Sequence, residues 1–127
     1  LAALEAPDAG IGEIIATLEL FAKSARRRGS ERGCLMCNTA TELAADDPEK
    51  QRLFASYVAR LSASMGQALV NAKAQGDIRK NIETEDAGRL LASVLVGFFV
   101  LLRARIAPAV LKSSVRAAAD YIDSLRT

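Results

Sequence analysis

The stretch LLASVLVGFFVLL, Leu90 to Leu102, runs 13 residues without a charge between Arg89 and Arg103. No other segment constrains the fold as tightly. A helix that spans a bilayer needs about 20 apolar residues. This run is too short, so it predicts a helix buried in a soluble assembly. It is apolar on nearly every side, and such a helix must be covered on every side. In a chain of 127 residues the other helices can cover about two faces. The remaining face asks for a second copy of the chain.

The rest of the sequence repeats the helical period, and no alternation is long enough to propose a strand. A first helix is expected from about Asp8 to Arg28, with Ile11, Ile14, Ile15, Leu18, Phe21 and Ala25 on one stripe. Arg26, Arg27 and Arg28 suit its last turn, and Gly29 suits its stop. A short second helix is expected from Cys34 to Ala45. The third starts at Pro48, with Asp47 as N-cap and Glu49 in the first turn. It carries Leu53, Phe54, Tyr57, Val58, Leu61, Met65, Ala68, Leu69 and Ala72 and stops at Gly76. The loop QGDIRKNI follows, with Ile78 and Ile82 as anchors. Thr84, with Glu85 and Asp86, opens the uncharged helix. The last helix begins at Pro108, and its small residues Ser114, Ala117 and Ala118 permit close helix approach. The expectation is one all-α domain over residues 1–127, a bundle of five to six helices.

The chemistry is narrowed by what is missing. There is no histidine, which removes the commonest general base and metal ligand. The only cysteines, Cys34 and Cys37, stand in RGCLMCNTATELA. A structural zinc takes four Cys or His ligands, so no metal and no cofactor are expected. A redox pair is the sharper alternative, because Cys34 lies at a predicted helix start beside Arg32. The missing strand context weakens it. No nucleophile elbow and no phosphate-binding glycine loop occur, so an enzyme is not expected. The basic group Lys23, Arg26, Arg27, Arg28 and Arg32 could contact phosphates. A helix end answering its own dipole explains it more simply.

The aromatic and methionine residues point elsewhere. Phe21, Met36, Phe54, Tyr57, Phe98 and Phe99 fall on helices that must pack together. They are core residues or the walls of an apolar pocket, with Asn38, Thr39, Thr41 and Tyr57 as polar groups. Composition alone does not decide between the two.

Three segments carry a family resemblance. GCLMCNTATELAADDPE, ALVNAKAQGDIRKNI and TEDAGRLL resemble, in order and spacing, motifs of the C-terminal effector-binding and dimerisation domain of TetR-family transcriptional regulators. Gly33 and Cys34 match a recurring pair, whereas Cys37 falls at a variable position, so the C-x-x-C spacing looks incidental. The likeness spans nearly the whole chain and is strongest from Gly33 to Leu102. It implies a homodimer in which the last two helices of each chain form a four-helix bundle. Candidate interface residues are then Val94, Gly97, Phe98, Leu101, Val115, Ala118, Ala119 and Ile122. It implies a pocket for a small-molecule effector and carries over no ligand class; the absence of histidine and the shortage of buried charge suggest a largely apolar one, with candidates Leu18, Phe21, Met36, Asn38, Thr39, Phe54, Tyr57, Val58, Leu61, Phe98 and Leu102. It implies a regulator, a repressor, that holds operator DNA through an N-terminal helix-turn-helix domain preceding Leu1; two cysteines and no signal peptide suggest a cytoplasmic setting. The helix over residues 8–28 would connect the two parts. A thiol-based sensor using Cys34 and Cys37 on the same scaffold is the alternative.

Overall fold

The computed structural model describes residues 2–24 and 47–127, and over these the chain is helical. Four helices occur among the described residues. They are α1 (Ile11–Ser24), α2 (Pro48–Ala74), α3 (Thr84–Arg103) and α4 (Pro108–Ser124). The helix expected over Cys34–Ala45 and the end of the first helix at Arg28 lie outside them. Among the described residues, extended pairing is limited to one antiparallel bridge between Ile78 and Arg126.

The helix boundaries follow from local hydrogen bonding. α1 begins at Ile11 rather than near Asp8. The Glu13 carboxylate accepts the Gly10 amide N–H at 2.7 Å, one half of a capping box, so the cap falls at Gly10. Asp47 caps α2, its carboxylate accepting from the amides of Glu49 and Lys50, and Pro48 fills the first turn. α3 begins at Thr84, but the extended cap residue is Glu83, and no side chain caps it. Gly76 ends α2 with φ of 80°. Its amide donates to the Lys73 carbonyl, and the Asp77 amide to that of Ala72, the two bonds of a Schellman turn.

α2 and α3 form the most extensive helix pair, α1 lies against α2 and α4, and α3 also meets α4. Close packing of α2 on α3 depends on Gly88. A Cβ there would stand 2.7 Å from the Gly66 backbone nitrogen and 3.1 Å from the Ser62 carbonyl oxygen. The two backbones therefore touch, which only glycine permits at that crossing.

The largest fully buried side chains are Leu4, Ile14, Leu61, Met65, Leu69, Ile78, Leu91 and Ile122. Most belong to the end of the bundle that holds the α2–α3 loop. That loop is also clasped from outside. The Arg79 amide donates to the Leu125 carbonyl, and the Thr127 amide and hydroxyl donate to the carbonyls of Asp77 and Gly76. Lys73 Nζ donates to the Ile82 carbonyl at 3.0 Å. Ile78 and Ile82 are buried as the sequence predicts. Asn71 ties the segment before α1 to α2, its side-chain N–H groups donating to the carbonyls of Pro7 and Ala9. Arg60 makes a two-pronged ion pair with Glu5 on the same side.

Candidate functional site

The opposite half of the molecule is built around aromatic rings. Phe21, on the last turn of α1 before Ser24, stacks on Phe98 of α3 with centroids 5.2 Å apart. It also meets the edge of Phe99 at 5.3 Å. Both arrangements suit the ring quadrupoles. Adjacent residues of one helix thus grip a single ring from another. This is possible because Phe98 points inward and Phe99 is half-buried beside it.

Of the predicted pocket residues, Leu18, Phe21, Leu61, Phe98 and Leu102 share one continuous buried core. Phe54 and Tyr57 pair along the first half of α2 at 6.5 Å, and with Val58 they are half-buried. Met36, Asn38 and Thr39 lie outside the described residues, as do Cys34 and Cys37. Leu20 and Leu53 remain 60% and 54% exposed, so large apolar surface persists in this half. Among the described residues no group of three or more His, Cys, Asp or Glu is placed to hold a metal ion. No helix among them is long and apolar enough to cross a membrane.

The predicted interface residues divide. Val94, Gly97 and Leu101 form a half-buried stripe on α3, and Val115 and Ala119 are half-buried on α4. Ala118 is buried but lines an apolar groove of about 250 Å³ between the two helices, together with Leu90, Val94, Ser114, Ala117 and Tyr121. Ile122 is 0% exposed, inside the chain's own core, and Phe98 is taken up by the Phe21 stack. Leu90 and Val100, both exposed, extend the stripe along α3. The signal for them was already in the sequence, since they stand inside the uncharged run.

Charge is sparse around the aromatic core and ordinary elsewhere. Arg60 beside Glu5 holds that carboxyl below the usual glutamate range, chiefly by hydrogen bonding, and Glu5 in turn raises the arginine. The Gly10 amide lowers Glu13 in the same way. All three groups are surface groups that fasten the start of α1, and none faces the aromatic cluster.

The described residues are helical, with an aromatic cluster in one half and a half-buried apolar stripe on the last two helices. The chain belongs to the family described as tetracyclin repressor-like, C-terminal domain, whose sequence model matches residues 10–118. The match takes in all four described helices except the last turns of α4. Neither the curated proteins nor the solved structures give a significant match.

Proposed function

We propose that this chain is the effector-sensing and dimerisation part of a ligand-responsive transcriptional repressor acting in the cytoplasm. The observation that carries the reading is the Phe21–Phe98–Phe99 cluster in a chain of this family. It couples α1, the helix that would connect to a DNA-binding helix-turn-helix domain, to α3, the helix that would meet the partner chain. A small apolar effector would lodge beside it, walled by Leu18, Phe54, Tyr57, Val58, Leu61 and Leu102, with Met36, Asn38 and Thr39 contributing from their own segment. A ligand bound there shifts the arrangement of α1 against α3 only by the difference in its affinity for the two arrangements. In a homodimer that difference becomes a change in the spacing of two DNA-binding units.

Two measurements test the reading. N-phenyl-1-naphthylamine, an apolar fluorescent dye, is expected to bind the chain with a blue shift, and Phe98→Ala is expected to weaken it at least tenfold. Binding that ignores the aromatic cluster would move the pocket elsewhere. Light scattering on the purified chain is expected to give a dimer. Gly97→Glu should yield a folded monomer, because a Cβ at Gly97 meets nothing within 4 Å inside the chain. A monomeric parent chain at micromolar concentration would sink the dimer.

A further inference from the structure

The α3–α4 hairpin is electrically lopsided. Between Asp86 and Asp120 the sequence holds no acidic residue, while Arg89, Arg103, Arg105, Lys112 and Arg116 fall in that interval. The acids Glu83, Glu85, Asp86, Asp120 and Asp123 sit at the hairpin's open end, where Arg89 pairs with Glu85 and Asp86, and Arg126 with Asp123. Arg105, Lys112 and Arg116 are exposed, and no ion pair to any of them occurs among the described residues.

Three features of this turn end work against the chain's own stability. Arg105 takes φ of 57°, at the left-handed position of a Schellman turn whose bonds run from the Arg105 amide to the Leu102 carbonyl and from Ile106 to Leu101. Glycine would hold that position without the steric cost, about 1 kcal/mol or more. Lys112 and Arg116 stand one helical turn apart on the outward side of α4, a like-charge spacing that is unfavourable. Neither lies in the last turn of α4, where the helix dipole would favour a cation, and the first turn has no acid and no side-chain cap. The dipole therefore does not account for these cations, as it can for Lys23 and Arg103 in the last turns of α1 and α3.

We propose that this turn end, through Arg105, Lys112 and Arg116, lies against the phosphate backbone of duplex DNA. It would supply contacts without sequence preference, additional to those of any DNA-binding domain. Successive cations on one helix face, about 6 Å apart along the axis, suit a row of phosphates. The choice of DNA as the polyanion rests on the regulator reading, but the test below needs neither effector nor operator. Failure of the effector or dimer measurements therefore leaves it standing, and its failure leaves them standing.

The experiment follows fluorescence anisotropy of a labelled random-sequence DNA duplex against the 127-residue chain over a range of salt. Three phosphate contacts predict a slope of log K against log salt of about −3, so raising salt threefold weakens binding roughly 20-fold. Lys112→Gln/Arg116→Gln should lower the slope by about 2. Arg79→Gln/Lys80→Gln, which removes the same charge at the other end of the bundle, should leave the slope unchanged. Arg105→Gly removes a charge while relieving strain, so its loss of affinity cannot be blamed on folding. Circular dichroism of each variant confirms the helical content. Equal losses from the two double variants, no binding by the parent at low salt, or tighter binding to phosphatidylserine vesicles than to the duplex would each overturn the proposal.

Discussion

The two ends of the bundle close their helices with the same turn and different residues. At the loop end α2 stops in a Schellman turn on Gly76, and the C-terminal residues bind over the loop that follows. At the turn end α3 stops in the same hydrogen-bonding pattern on Arg105. The loop end holds most of the fully buried side chains among the described residues. The turn end leaves Arg105, Lys112 and Arg116 without an ion pair among the described residues, and Leu20 and Leu53 stay exposed in the same half. One end is built for stability. The other carries features that a stability-optimised chain would not keep, which is where function is expected to reside.

The largest effects that sharpen this contrast belong at the loop end. Gly88→Ala forces a methyl group against the Gly66 backbone, and overpacking of this kind costs about 3 kcal/mol. Gly97→Ala, further along α3 where the space is open, should gain about 0.5–1 kcal/mol, the helix-propensity advantage of alanine over glycine. Urea denaturation of both variants checks the pair. If Gly88→Ala costs no more than Gly97→Ala, the α2–α3 crossing is looser than described. Ile78→Ala should cost about 3 kcal/mol, because its side chain is buried under the clasp, whereas Leu53→Ala should fall within about 0.5 kcal/mol.

Smaller, and opposite in sign, are the two Schellman positions. Gly76→Ala places a Cβ at positive φ and should lose about 1 kcal/mol. Arg105→Gly relieves that strain but adds freedom to the unfolded chain, so a net gain of about 0.5 kcal/mol is expected. Thermal unfolding of the two variants should move the midpoint in opposite directions. Losses at both positions would mean that Arg105 makes a stabilising contact that outweighs its backbone cost.

How much of this was legible in the sequence depends on whether the signal is local. The Asp47–Pro48 start, the Gly76 stop and the Pro108 start were readable because a cap or a fixed φ is decided within a few residues. The start of α1 was misplaced at Asp8, because the deciding bond comes from Glu13 back to Gly10. Nothing local in the sequence separates Gly88 from Gly97, although a Cβ at the first would meet a backbone and one at the second meets nothing within 4 Å. Only the crossing of α2 over α3 separates them. The same holds for Ile122, which has the period of an interface residue but is used by the chain's own core. The uncharged run did identify α3 as the central helix. It could not say which of its faces would turn to Phe21.

The smallest expected effect concerns acid. Glu5 and Glu13 both fasten the segment that leads into α1, Glu5 through the Arg60 guanidinium and Glu13 through the Gly10 amide. Both carboxyls are held below their ordinary value. A carboxyl depressed in the folded state contributes stability that is fully present above its unfolded pKa. That contribution is lost as the pH falls through the folded pKa. Stability from this pair should therefore be flat near neutrality and decline only below the usual glutamate range. Glu5→Gln should remove one share of the decline and Glu13→Gln the other, each with a smaller loss at neutral pH than Gly76→Ala. The Arg60 side is raised, so its contribution is present throughout and would be lost only in strong alkali. Because both carboxylates secure the loop-end side, acid below the usual glutamate range should loosen the start of α1 before it affects the Phe21 stack at the other end. Amide exchange followed by mass spectrometry would resolve that order. Simultaneous loss of protection at Ile14, whose amide donates to the Gly10 carbonyl, and at Phe21 would mean that α1 opens as one unit, and that the two ends of the molecule are more tightly coupled than their construction suggests.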